Sequence, residues 1–232
     1  MFLKIAHRGA RAYEPENTLK SFRKAMEMGA NAIEFDVRQT KDQHLVIMHD
    51  EKVERTTNGF GLVRDMILKE VNHLVAGGHD EKVPTVDMAL DFIGRKVAKI
   101  LIELKEVGFE KRILDMIRLK ELEEFVIITS FVEDALKEMR ALDPNIETGL
   151  IYVKHKNPVA RAVELGANYL MPLYKLTHTE NVQKAHKKNL KVLVWTINDV
   201  NEMKDFVEKG VDGIATDRPD LFKEIKISET SE

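Results

Sequence analysis

Residues able to bind a metal, exchange a proton or hold an anion stand at the C-terminal ends of three short apolar runs. His7 and Arg8 follow Leu3-Lys4-Ile5-Ala6, Glu34 and Asp36 follow Asn31-Ala32-Ile33, and Glu103 and Lys105 follow Lys99-Ile100-Leu101-Ile102. Side chains of an extended strand alternate faces, so residues two apart project the same way. Ordinary strand ends do not gather carboxylates on one face, because like charges repel and lose hydration there. Glu34, Asp36 and Glu103 offer hard oxygen donors, which suit Mg²⁺, Ca²⁺ or Mn²⁺. The chain has no cysteine, which excludes disulfides and thiolate ligands.

Two unit charges about 4 Å apart interact by roughly 4 kcal/mol at an effective dielectric of 20, so converging carboxylates need countercharge. Arg8 and Lys105 supply part of it as an ion-pair network, leaving one negative charge over. One divalent cation makes the site positive by one instead, which matches a monoanion such as a phosphodiester. His7 and His49 are the natural acid and base, since imidazole titrates near neutrality. Acid–base help supplies about 10²–10⁴-fold, and the rest must come from the cation and the Arg8 guanidinium stabilising charge. In a regular strand Arg8 faces away from His7, so its length or a bend at Gly9 must bring it back. Trp195, the only tryptophan, ends Lys191-Val192-Leu193-Val194. Its ring either covers the carbon skeleton of a small polar substrate or packs under a neighbouring loop; Phe131 is a weaker candidate of the same kind. His44, His73, His79, His155, His178 and His186 have no such company and read as surface or structural.

The elements that must position these groups form a parallel series. Eight parallel strands are predicted at 3–7, 32–37, 98–104, 125–130, 147–152, 168–172, 191–196 and 213–216, with helix-like segments between them. One helix is predicted over 17–28, with Leu19, Phe22 and Met26 on one face and Asn17 or Thr18 as its N-cap. Met28-Gly29-Ala30-Asn31, Leu165-Gly166-Ala167-Asn168 and Lys209-Gly210-Val211-Asp212 repeat one helix–glycine–strand junction. The run Leu45-Val46-Ile47-Met48 follows 32–37 too closely for a parallel crossover, so it must return antiparallel. A two-residue loop at Asp42-Gln43 sets Asp36 opposite His49, and a longer loop shifts this by one or two positions. The fold class expected is α/β, a (β/α)8 TIM barrel forming one domain over 1–232, with a small insertion after the second strand at about 51–84. The tail from Ser228 to Glu232 is expected to fray.

At 232 residues and 44% apolar, the chain suffices for one such barrel. A net charge of −3 without a basic cluster argues against nucleic acid, and no run docks on or spans a membrane. Met1-Phe2-Leu3-Lys4 enters the first strand with no signal-peptide core, so a cytoplasmic protein without a stable membrane anchor is expected. Oligomeric state is left open.

Taken in order, His7-Arg8-Gly9, Pro15-Glu16-Asn17-Thr18, Glu34-Phe35-Asp36, His49-Asp50, Arg55-Thr56-Thr57-Asn58-Gly59, Pro84-Thr85, Glu103-Leu104-Lys105, Val194-Trp195-Thr196-Ile197-Asn198 and Thr216-Asp217-Arg218-Pro219 resemble the glycerophosphodiester phosphodiesterase family. The resemblance spans almost the whole chain and implies a β/α barrel of the kind seen in phosphatidylinositol phosphodiesterases. It implies one divalent metal ion (Mg²⁺, Ca²⁺ or Mn²⁺) on Glu34, Asp36 and Glu103, acid–base roles for His7 and His49, and phosphate contacts from Arg8 and Lys105. Glu16 and Asp217 are implied to hold those groups in place. The implied reaction cleaves a small glycerophosphodiester to sn-glycerol 3-phosphate and an alcohol. Water attacks directly, or the neighbouring glycerol hydroxyl attacks first to give a cyclic phosphate. Gln43 departs from the pattern, standing at a turn position where the family often has glycine. The alternatives are a lysophospholipase D, using Phe60, Leu62, Val63, Met66, Ile67 and Leu68 as apolar walls, a Schiff-base aldolase barrel on Lys105, and a noncatalytic binding barrel.

Overall fold

In the computed structural model, which describes residues 1–78 and 80–227, strands and helices alternate along the chain. β1 (Leu3–His7), α1 (Leu19–Glu27), β2 (Ala32–Gln39) and β3 (Leu45–Ile47) come first, then α2 (Leu68–Val71) and α3 (Val86–Ile93). β4 (Lys99–Leu104), α4 (Glu110–Leu119), β5 (Val126–Ser130), α5 (Glu133–Leu142), β6 (Glu147–Tyr152) and α6 (Pro158–Glu164) follow. β7 (Tyr169–Pro172), α7 (Thr179–His186), β8 (Lys191–Val194), α8 (Val200–Glu208) and β9 (Gly213–Thr216) complete the series. All strands but β3 are parallel, and β1 pairs with both β9 and β2, closing an eight-stranded parallel barrel. This is a (β/α)8 TIM barrel. His79 and the tail 228–232 lie outside the described residues. No described helix is long and apolar enough to cross a membrane.

Period-two alternation divides the strand side chains between two cores. Leu3, Ile5, Ala32, Leu101, Ile127, Ile151, Tyr169, Met171, Leu193 and Ala215 fill the barrel interior. Their alternates, among them Ala6, Ile33, Phe35, Ile100 and Ile102, pack outward against the helices. Strands buried on both faces therefore read as the unbroken apolar runs seen in the sequence. The same parity carries the interior series Leu3-Ile5 on to His7, Ala32 to Glu34 and Asp36, Leu101 to Glu103 and Lys105, and Ala215 to Asp217. The middle of the barrel interior is thus apolar, closed at its N-terminal end by Lys99 paired with Glu147, which also accepts from the Tyr169 hydroxyl at 3.2 Å, and giving way at the C-terminal mouth to the groups that carry the chemistry.

α1 shows how the outer layer is fixed. Thr18 caps it by accepting from the Ser21 amide at 3.1 Å, choosing between the two cap candidates. Phe22 is fully buried against Phe35 of β2, ring centroids 5.8 Å apart. The repeated junction glycines Gly29, Gly166 and Gly210 all take positive φ, as a left-handed helix stop requires.

The β2–β3 hairpin differs from the two-residue expectation. Val37 pairs with Ile47, Arg38 with Val46 and Gln39 with Leu45, so residues 40–44 form a five-residue loop and the register moves by one. Met48, not His49, faces Asp36, and its amide donates to the Asp36 carbonyl at 3.0 Å. Thr40 explains the longer loop: its hydroxyl accepts from the His44 amide and donates to Asp42, and Gln43 takes φ +69°. β8 is also shorter than expected. It ends at Val194, and Trp195 keeps only a single bridge to Leu173.

Residues between β3 and α3 carry α2 and a short 3₁₀ turn at Val63–Asp65. Val53, Val63, Val71, Leu74 and Val83 bury one another against Val46 and Met48, a core separate from the barrel's. Met66 and Leu68 pack against it. Phe60, a suggested wall of an acyl groove, is 84% exposed and Ile67 is also exposed.

Candidate active site

β1 ends at His7 because Arg8 turns left-handed (φ +56°), followed by Gly9 at φ +80°. That turn swings the Arg8 side chain back to the mouth, so the bend foreseen at Gly9 begins one residue earlier. Gly9 is required by close approach: a Cβ there would lie 1.9 Å from Ser21 Oγ and 2.7 Å from the Ser21 carbonyl carbon. Ser21 Oγ in turn donates to the Arg8 carbonyl at 2.7 Å, which fixes the turn. The Arg8 amide donates to Glu34 Oε2 at 2.8 Å, its Nη1 to Glu16 at 3.0 Å, and its Nε lies 3.1 Å from Asp36 Oδ2.

Barrel register brings the three carboxylates together, since Asp36 is the β-partner of Glu103 and Glu34 that of His7. Glu34, Asp36 and Glu103 are all buried, with one oxygen from each within 4.8 Å of the others. Lys105 Nζ sits 3.0 Å from Asp36 Oδ1 and touches Glu103. Asn17, left-handed at φ +60°, donates its amide to Asp36 Oδ2 at 2.9 Å. Glu34 Oε1 is buried with no hydrogen-bond partner, and Asp36 Oδ1 has only its charge contact with Lys105.

The charge balance is unfinished. Burial, then the charges of Asp36 and Glu103, push the Glu34 carboxyl well above its usual range. Burial and Asp36, opposed by Lys105, push Glu103 up to about 7. Burial would raise Asp36 too, but Lys105 and Arg8 hold it below the usual carboxylate range. Glu34 and Glu103 are thus both biased toward the protonated form, a bias that added positive charge would oppose. Buried oxygens aimed at one point, one of them unpartnered, fit a hard divalent cation better than a finished ion-pair network.

Both histidines border this cluster with one ring nitrogen held by an aspartate. His7 Nδ1 meets Asp217 Oδ1 at 2.7 Å, and Asn198 holds Asp217 by donating to its other oxygen at 2.8 Å. His49 Nδ1 meets Asp50 Oδ1 at 2.6 Å. His49 leaves the hairpin just past β3 and remains within the field of Asp36 despite the register shift. Burial lowers both imidazoles, against the upward pull of Asp217 on His7 and of Asp36 and Asp50 on His49. Burial raises Asp217, but the bond and charge of His7, the Asn198 hydrogen bond and the charge of Arg11 together outweigh that and hold its carboxyl below the ordinary value, ionised. The ionised carboxylate only accepts, so Nδ1 carries the proton and Nε2 is left to exchange one.

Trp195 donates its indole N–H to the Met171 carbonyl at 2.8 Å, and Phe131 stands edge-on to its ring at 5.6 Å. Lys105 Nζ lies 5.9 Å from the Phe131 ring. A cavity of about 380 Å³ opens here beside His49, Glu103, Lys105 and Phe131. A larger one, about 1170 Å³, lies between α6 and α7 and holds none of the candidate residues except the dismissed His155. His186 pairs with Asp212, and His73 with the Lys69 carbonyl.

The structure thus joins His7, Arg8, Glu34, Asp36, His49, Glu103 and Lys105 at one mouth, with Phe131 beside Lys105 and Trp195 against Phe131. Asn17, a cap candidate and a motif residue in the sequence, and Asp50 and Arg55, motif residues alone, gain their places in the site only from the fold.

The chain is similar to known proteins along nearly its whole length. The model of the "Glycerophosphoryl diester phosphodiesterase family" matches residues 7–221. A glycerophosphodiester phosphodiesterase of Caldanaerobacter subterraneus is 39% identical over 232 residues, covering 95% of this chain and 96% of the relative. A solved glycerophosphodiester phosphodiesterase from Agrobacterium tumefaciens superposes with TM-score 0.88 at 28% identity, covering 97% of this chain and all of that one. An Oleispira antarctica phosphodiesterase in complex with its product sn-glycerol-3-phosphate gives TM-score 0.87 at 28% identity, over 95% and 94% of the two chains. With a family model spanning every candidate residue and near full-length relatives, this chain belongs to the glycerophosphoryl diester phosphodiesterase family.

Proposed function

We propose that this chain hydrolyses small glycerophosphodiesters to sn-glycerol 3-phosphate and an alcohol, at a site where Glu34, Asp36 and Glu103 hold one divalent cation. The observation that carries this reading is the cluster of three buried carboxylates with an unpartnered Glu34 oxygen, flanked by two aspartate-held imidazoles. A divalent cation held by Glu34, Asp36 and Glu103 would supply Lewis-acid stabilisation of the phosphoryl oxygens. Arg8 and Lys105, kept cationic by Asp36 and its neighbours although burial opposes this, add fixed positive charge to the same oxygens. One imidazole takes the nucleophile's proton at Nε2 while the other protonates the leaving oxygen. Asp217 and Asp50 keep each ring in the tautomer that presents Nε2, and Trp195 with Phe131 offers an apolar edge for the glycerol carbons.

The other readings find less support. A Schiff-base lysine needs a depressed pKa, whereas Asp36 and Glu103 hold Lys105 above its ordinary value against the effect of burial. Of the apolar residues offered as acyl-groove walls, Val63, Met66 and Leu68 join the insertion's own core, and Phe60 and Ile67 stand in solvent. The same proposal places the reaction in the cytoplasm.

The test is a metal-by-substrate panel scored for released glycerol 3-phosphate. Thorough chelation should abolish release from glycerophosphocholine, and Mg²⁺, Mn²⁺ or Ca²⁺ should restore it. Turnover persisting in chelator refutes the metal site. Faster release from lyso-phosphatidylethanolamine than from glycerophosphoethanolamine refutes the substrate class.

A further inference from the structure

One cation outside the cluster joins both sides of the mouth. Arg55 belongs to the insertion, two residues after the fully buried Val53 that ties this segment into the insertion's core. Its Nε donates to Asp50 Oδ2 at 2.5 Å and its Nη2 to Asp50 Oδ1 at 3.1 Å. The same guanidinium donates from Nη1 to Glu16 Oε2 at 3.0 Å and from Nη2 to Glu16 Oε1 at 2.8 Å. Glu16 is fixed to the barrel in its turn, since Arg8 Nη1 donates to its Oε1 at 3.0 Å. Asp50 passes the constraint on through its 2.6 Å contact with His49 Nδ1.

We propose that Arg55 is a positioning residue that orients the His49 imidazole by clasping Asp50 to Glu16 across the junction of insertion and barrel. The inference rests on the acid–base reading of His49 given above. Three features favour it. His49 lies past the end of β3, where Arg38 Nε donates to its carbonyl at 2.9 Å but no strand neighbour fixes its ring, which needs another anchor. Asp50 is partly exposed, and a carboxylate there wanders among rotamers unless its second side is held; the two-pronged guanidinium holds both oxygens at once, a geometry lysine does not reproduce. The insertion is seated over Glu16 independently, because Gly77 packs so closely on Pro15 that a Cβ would lie 2.5 Å from its ring. Arg55 is itself largely exposed, where ion pairs contribute little to stability, so orientation is what four such bonds can deliver.

A double-mutant cycle on the metal-loaded enzyme tests this, with glycerophosphocholine as the probe substrate. Arg55→Gln should lower kcat by about 10–100-fold with KM changed less than about threefold. Combined with His49→Ala it should lower kcat by less than about threefold further, because the ring it orients is gone. Arg55→Lys should recover only a small part of the loss. An equal loss with and without the imidazole overturns the proposal while leaving the His49 role intact. A His49→Ala enzyme with wild-type kcat overturns both. If Arg55→Gln does not fold, Asp50→Asn enters the same cycle, with the same coupling expected and its absence equally fatal.

Discussion

Cation binding should release protons from this site, and the amount is fixed by the carboxylates that share it. Without the cation Glu103 sits at about 7, raised by burial and by Asp36, and Glu34 is raised by burial and by both neighbours. At pH 6 Glu103 then holds its proton in roughly nine molecules of ten, and at pH 8 in about one of ten. A cation must displace that proton, so the apparent affinity should weaken about tenfold from pH 8 to pH 6 through Glu103 alone, or about 1.4 kcal/mol. Glu34 adds to this in the same direction. The sign for stability is opposite in the cation-free chain. A carboxyl raised in the folded state keeps a proton the unfolded chain has lost, so stability falls as pH rises from the ordinary value of 4.5 to about 7. For Glu103 the loss is of order 3 kcal/mol, or about 6–12 °C in Tm for a chain of this size, recovered on adding cation. Calorimetric titration with Mn²⁺ at pH 6, 7 and 8, in buffers of different ionisation heat, counts the protons directly. His7 and His49 both lie below their usual value, so a His7→Ala/His49→Ala variant should keep the tenfold effect. An affinity that changes less than about twofold between pH 6 and 8, with no proton released at pH 6, would sink the reasoning.

Three further outcomes follow from the geometry. His7→Ala and His49→Ala should each lose about 10²–10⁴ in kcat while keeping wild-type Mn²⁺ affinity, and a normal steady-state rate in either removes that imidazole from the reaction. Gly9→Ala should disrupt the turn that returns Arg8, since its Cβ meets Ser21 Oγ at 1.9 Å; a loss of kcat/KM beyond the loss of Tm is expected, and unchanged kinetics would show the turn to be incidental. Gln43→Gly should raise the thermal midpoint by a few degrees, because left-handed backbone costs a side-chain-bearing residue about 1–2 kcal/mol and glycine gives back about 0.5–1 in chain entropy. A lowered midpoint would mean that Gln43 is held by contacts stronger than that strain.

Much of the site was legible because strand parity is a local, covalent property. Once Leu3-Ile5-His7, Ala32-Glu34-Asp36 and Leu101-Glu103-Lys105 are placed in strands, their shared facing follows from alternation. The hairpin was less legible. The need for an antiparallel return followed from loop length, but the register depended on Thr40 bonding to His44 and Asp42, which no periodicity announces. Arg8 shows the same division, since its return to the mouth was required by chemistry and achieved by a left-handed turn that Ser21, thirteen residues on, secures.

By itself, then, the sequence determined the parallel βα order, the apolar middle of the barrel interior, and which residue types stand above it at the C-terminal mouth. Only barrel closure decided that Asp36 lies beside Glu103 and His7 beside Glu34, and so that one oxygen is left without a partner. Only closure, too, set the insertion's Arg55 across Asp50 and Glu16. Facing is written residue by residue in the backbone's alternation, whereas which side chains meet across strands depends on stagger, loop length and packing summed over the whole chain.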